Sequence, residues 1–257
     1  MDWLTHIDDF TNQLADIAEV GDLSAPVPTC PDWTLADLAW HLLEVQDFWT
    51  WIIGNRPAGP DNYVGPERPS DNELATGLRE ACDRLVTALA AADPSEEAWS
   101  WTHDHTVGFT YRRQAHEAFV HLADAIATTG GSIPVVPPAF GADGIDELVT
   151  NNLEPIPPWG TFTPGRESLI ALRSTDIERD WTFRFGTFNG TSPNSGTTYT
   201  DEPQVQPADG AAATIIRGEA ATLDLWMWGR VDDAAVTVEG DEAHAVALRA
   251  VISGETQ

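Results

Sequence analysis

His41 lies on a helical stripe whose other members, Leu38, Val45, Phe48 and Ile52, are apolar. Far along the chain, Glu117 and His121 stand four residues apart. Positions four apart on an α-helix project from one face. One carboxylate and two imidazoles could therefore hold a single divalent metal, provided that the two helices face each other. Such a donor set suits zinc, nickel, iron or manganese and leaves positions open for water and substrate. Arg113 and Asp124 fall near the same face. Without a facing helix, Arg113, Glu117, His121 and Asp124 read as an ordinary solvated helix surface, and His41 reads as a satisfied core histidine. His116 and His121 are about 140° apart around a helix, so both cannot bind one metal. His116-Glu117 followed by His121 is also not the zincin motif, whose histidines are four apart.

These residues need helices to position them. Trp3, Ile7, Phe10, Leu14 and Ile17 recur at helical spacing. Thr34 with Asp37 reads as a capping box opening the helix of His41, and Ser70 with Glu73 as another opening the stripe Leu74, Leu78, Ala81, Leu85 and Leu89. A fourth helix is expected from Thr110 to Thr129, ended by Gly130-Gly131. Four helices with long connections predict a bundle over residues 1–132. Residues 133–158 carry Pro134, Pro137, Pro138, Pro155, Pro157 and Pro158, which predicts a linker with at most a short helix near Gly144–Asn151. From residue 159 to 257 the period changes. Ser168–Arg173, Asp180–Phe185, Thr214–Arg217 and Val236–Glu239 read as strands, Asn189–Gly210 as a long loop, and Glu219–Trp228 and Asp241–Ile252 as helices. The fold class is thus α followed by α+β: a four-helix bundle and a small α+β domain.

Composition narrows the function. The 257 residues carry a formal net charge of −28, and all 13 basic residues are arginine. A chain this acidic repels nucleic acid and anionic membranes, so neither is an expected partner. The absence of lysine excludes a Schiff-base or phosphate-loop lysine. Two cysteines, Cys30 and Cys82, are too few for a disulfide scaffold and suit a reducing cytoplasm. The start, Met1-Asp2-Trp3-Leu4, lacks signal-peptide character, so a cytoplasmic location is expected. Other candidate groups are weaker. His103-Asp104-His105 reads as a loop, Cys30 has no adjacent base, and Trp226, Trp228 and His244 read as packing or surface residues.

Longer stretches carry a resemblance. Cys30-Pro31-Asp32-Trp33-Thr34-Leu35-Ala36-Asp37-Leu38-Ala39-Trp40-His41 resembles the opening of the mycothiol-dependent maleylpyruvate isomerase family, and Arg112 to Ala125 resembles its second block, with a Glu and a His four apart and then Asp-Ala. Thr214 to Arg230, with Leu223-Asp224-Leu225-Trp226-Met227-Trp228-Gly229-Arg230, is similar to that family's sterol-carrier-like C-terminal domain. Broader relatives are the DinB-like helix bundles. The resemblance implies metal ligands His41, Glu117 and His121, with zinc the expected ion. It also implies a catalytic arginine near the substrate, here assigned to Arg68 with Arg56 and Arg79 as rivals. Gln114 and Leu122 depart from the family's usual residues, which points to a substrate other than maleylpyruvate. The expected activity is a metal-dependent S-transferase or cis–trans isomerase in which a low-molecular-weight thiol of mycothiol type attacks a small electrophile, in a monomer or homodimer. Two other classes compete: a hydrolase or lyase using metal-bound water, and a non-catalytic binding protein on the same fold.

Overall fold

A computed structural model of the protein describes residues 1–153, 156–166 and 169–255. Pro155, from the proline-rich segment, and Ser168, from the first expected strand, lie outside the described residues. The chain divides into two compact units, Met1–Pro134 and Val135–Gln257.

The first unit consists of helix α1 (Trp3–Val20), a two-stranded ribbon of β1 (Pro26–Val27) and β2 (Cys30–Thr34), and helices α2 (Leu35–Gly54), α3 (Leu74–Ala90) and α4 (Val107–Thr129). Helices α1 and α2 each pack against both α3 and α4, which makes the expected bundle. Ile7 and Leu14 of α1, Leu38 and Ile52 of α2, and Leu78 and Leu85 of α3 are fully buried. Burial of that kind contributes about 1.5–3 kcal/mol per large apolar side chain. Thr34 and Asp37 form the expected capping box: Asp37 N–H donates to Thr34 Oγ1 at 3.3 Å, and Thr34 N–H to Asp37 Oδ2 at 3.0 Å. Ser70 and Glu73 do not cap α3. The Ser70 hydroxyl donates to the Glu73 carboxylate, and the chain first makes a 3-10 turn over Asp71–Glu73. Helix α4 starts three residues before the expected Thr110, because the Thr106 hydroxyl accepts from Phe109 N–H and caps it there. It stops at Gly130, whose φ of 68° suits glycine.

The second unit begins with helix α5 (Pro138–Leu148), continued by a π-type turn over Val149–Leu153. This helix starts earlier than the sequence suggested, with Pro138 at its first position, where a missing N–H costs nothing. Strands β3 (Gly160–Pro164), β4 (Leu169–Ser174), β5 (Asp180–Thr191), β6 (Thr198–Pro207) and β7 (Ala212–Gly218) follow, then helix α6 (Ala220–Met227), strand β8 (Thr237–Glu239) and helix α7 (Glu242–Glu255). The sheet runs β3-β5-β4-β7-β8, with β6 on the other edge of β5 and a parallel pairing of β4 with β7. Ile170, Leu172, Phe183 and Ile216 of the sheet pack with Ile145, Trp226 and Leu248 of the helices. Gly141 lets α6 approach α5 closely, since a Cβ there would collide with the backbone of Ala221. The expected loop over Asn189–Gly210 is instead a hairpin of β5 and β6. Among the described residues its second strand pairs with β5 alone, so Pro203 and Pro207 cost no inner ladder bond. Among the described residues, no helix is long and apolar enough to cross a membrane.

Candidate metal centre and its cavity

Helix α4 carries an unusual load of buried polar side chains. Arg113, Gln114, His116, His121 and Asp124 are all buried, with Asp124 at 0% exposure. The reading of Arg113, Glu117, His121 and Asp124 as a solvated surface is therefore wrong. The packing of α1 and α2 over α4, with the β1–β2 ribbon beside it, covers that face.

His41 from α2 meets this face. Its Nε2 lies 3.5 Å from Glu117 Oε1, and His121 Nε2 lies 3.2 Å from the same oxygen. One ligand atom from each of the three residues lies within 4.8 Å of the others, and among the described residues no other such group of three occurs. The two imidazole rings stand edge to face at 4.9 Å. On its far side, His121 Nδ1 lies 3.0 Å from Asp124 Oδ2, and the Thr29 hydroxyl donates to Asp124 Oδ1 at 2.5 Å. An Nδ1–H given to Asp124 leaves the lone pair on Nε2, aimed at the centre. Arg113 Nη2 donates to Glu117 Oε2 at 2.9 Å and so occupies the carboxylate oxygen that the histidines do not.

The charges reinforce one another. Burial pushes the Glu117 carboxyl up, but His121, His41 and Arg113 hold it well below its ordinary range. Burial pushes the His121 imidazole down, yet Glu117 and Asp124 raise it to about 9. The carboxylate of Glu117 and the imidazolium of His121 thus favour each other across their 3.2 Å contact. A divalent cation fits the same position: the donors are two nitrogens and an oxygen, already converging, with a carboxylate to orient one ring.

The β1–β2 ribbon supplies the cover. Trp33 lies 4.7 Å from the His41 ring and 6.1 Å from that of His121. Cys30 is half-buried, its Sγ 3.8 Å from Asp124 Oδ2. His116 faces elsewhere, packed edge-on against Trp3. His103, Asp104 and His105 lie in the irregular segment before α4, where the Asp104 carboxylate accepts from the Thr106 hydroxyl. Arg68 donates from Nη1 to Asp37 Oδ1 at 2.8 Å, on the first turn of α2. Its rivals are engaged too, Arg56 with Glu96 and Arg79 with Asp16 and Glu19.

A cavity of about 410 Å³ opens beside Glu117. Phe48, Trp49, Tyr63 and Trp101 form much of its wall, with Arg113 and Gln114 beside Glu117. Sequence reasoning missed this chamber. The arginine in its lining is Arg113, whereas Arg56, Arg68 and Arg79 are not part of it. The signal was the aromatic run Phe48-Trp49-Thr50-Trp51 of α2, but Trp101 comes from a distant loop and only the fold brings it there.

Residues 4–126 match the family described as "Mycothiol maleylpyruvate isomerase N-terminal domain". No curated protein sequence matches the chain. Two solved structures share its fold. One is a mycothiol-dependent maleylpyruvate isomerase, with a TM-score of 0.56 and 17% identity. The other is a histidine-to-alanine mutant of a mycothiol-dependent maleylpyruvate isomerase, with a TM-score of 0.59 and 15% identity. In both cases the match covers 93% of this chain and 92% of the other. By the match of its helical unit and a fold shared over 93% of its length, the protein resembles the mycothiol-dependent maleylpyruvate isomerase family.

Proposed function

We propose that this protein is a metal-dependent enzyme that uses a low-molecular-weight thiol of mycothiol type to modify a small electrophile, by S-transfer or by isomerisation. His41, Glu117 and His121 would hold the metal, with zinc the expected ion. The observation that supports this reading is the convergence of those three donors beside an aromatic cavity, in a unit that matches the mycothiol-dependent family. A bound divalent cation lowers the pKa of a thiol and favours its thiolate.

The chain's own residues do the rest. Asp124, braced by Thr29, fixes the tautomer and the plane of His121. Arg113 anchors Glu117 from its outer oxygen. Trp33 covers both imidazoles and limits water beside them. Phe48, Trp49 and Trp101 offer an apolar wall against which the electrophile can rest.

The test is mycothiol titrated calorimetrically into zinc-loaded protein, followed by a thiol-dependence assay over a panel of small electrophiles, uncharged and anionic, with maleylpyruvate among them. Saturable thiol binding and turnover that needs thiol are expected. Turnover that is unaffected by omitting thiol would move the protein to the hydrolase or lyase class. Arg68→Lys separates two roles for Arg68. Lost turnover with metal retained assigns it to substrate, because lysine keeps the charge but not the fork. Unchanged turnover assigns it to the capping of α2 through Asp37.

A further inference from the structure

Gln114 is 1% exposed and lines the cavity beside Glu117. Neither its Nε2 nor its Oε1 has a hydrogen-bond partner among the described residues. An amide buried in this way forfeits bonds that it would make in water, at a cost to stability. Leucine or methionine would fill the same space without that cost. The position is thus suited to a ligand rather than to packing, and the amide offers both a donor and an acceptor.

The rest of the wall limits what that ligand can be. Phe48, Trp49, Tyr63 and Trp101 present rings, and Trp101 is itself 55% exposed. The charged lining consists of Glu44, Glu117 and Arg113, and Arg113 already bonds Glu117. A divalent cation and a thiolate added to that set bring its formal charge to zero, which leaves no surplus cation for a dicarboxylate. The volume of about 410 Å³ exceeds the roughly 150 Å³ that holds a benzene ring in a dry cavity.

We infer that Gln114 is the specificity-determining residue of this site, and that the electrophile is an uncharged, ring-bearing molecule whose carboxamide pairs with the Gln114 amide through two hydrogen bonds. The inference rests on the reading of the cavity as the electrophile site of a thiol-using enzyme. Its test is independent of metal and thiol. The metal-free, thiol-free full chain is titrated calorimetrically with 3-phenylpropanamide, 3-phenylpropanoate and maleate, none of which needs to react. Wild-type protein should bind the amide at least tenfold more tightly than either anion. Gln114→Leu removes both hydrogen bonds, should weaken amide binding roughly 10–100-fold, and should raise Tm by a few degrees. Gln114→Glu, which keeps the shape, should also weaken the amide. Maleate binding as tight as the amide, or amide affinity unchanged in both variants, overturns the inference. So does a Gln114→Leu protein that melts lower while Gln114→Glu keeps wild-type affinity, since that pattern belongs to a packing residue. If the amide binds as expected but the zinc-loaded enzyme needs no thiol, the proposed function fails and the specificity assignment stands.

Discussion

Helices α3 and α4 carry the same kind of charge pattern and use it in opposite ways. Arg79 and Asp83, and Glu80 and Arg84, stand four apart on α3; Arg113, Glu117 and His121 stand four apart on α4. On α3, Glu80, Asp83 and Arg84 are exposed, and Arg79 reaches outward to Asp16 and Glu19 at 2.6 and 2.7 Å. On α4 the row is covered by α1 and α2, with the β1–β2 ribbon beside it, and each charge is held by another. Surface pairs are worth little because water screens them and side-chain entropy opposes them. Buried charges must be paired or hydrogen-bonded, and removal of one partner strands the other. Spacing alone therefore cannot distinguish a solvated helix face from a site. The helices that pack over it decide.

The largest effect expected from this contrast is on folding. Asp124→Ala strands the His121 ring and the Thr29 hydroxyl, and should cost about 3–5 kcal/mol in urea-unfolding free energy. A loss under about 1 kcal/mol would place α4 with the surface helices. Next in size, Asp124→Asn keeps the shape but weakens the orientation of His121, and should lower zinc affinity about 10–100-fold in a competition titration. Asp37 sharpens the contrast at the start of α2. The Thr34 hydroxyl and N–H, and then Arg68, hold its carboxyl down to about 2. A depressed carboxyl contributes above its ordinary value of 3.8 and loses that contribution as pH falls through about 2. Asp37→Ala should thus cost about 0.5–2 kcal/mol at pH 7, and the gap to wild type should close as the pH is lowered to 2. A gap independent of pH would mean that packing, not charge, holds that turn. The smallest effect belongs to α3: Arg79→Ala should change stability by about 0–1 kcal/mol, less still in high salt.

Much of this was legible in the sequence. The apolar stripes of α1 to α3, the Thr34–Asp37 box and the glycine stop of α4 all follow from local rules, and the structure contains each of them. The convergence of His41, Glu117 and His121 was readable only as a condition, that α2 face α4, and the spacing could not say whether it was met. Three features were not legible. The hairpin of β5 and β6 was hidden by prolines and polar residues, because a strand at a sheet edge tolerates both. The helix α5 was hidden by Pro137 and Pro138, which open it rather than break it. The cavity wall joins Phe48 and Trp49 of α2 to Tyr63 and Trp101 from two loops, and such a meeting has no local signature.

The central claim is that His41, Glu117 and His121 form one metal centre. Its most direct test is elemental analysis of zinc-saturated, exhaustively dialysed protein, wild type beside His121→Ala and His41→Ala, with circular dichroism to verify the fold. The account predicts one zinc per wild-type chain and little or none in either variant, with helicity unchanged. Full occupancy in His121→Ala, or no retained metal in the wild type, would contradict it.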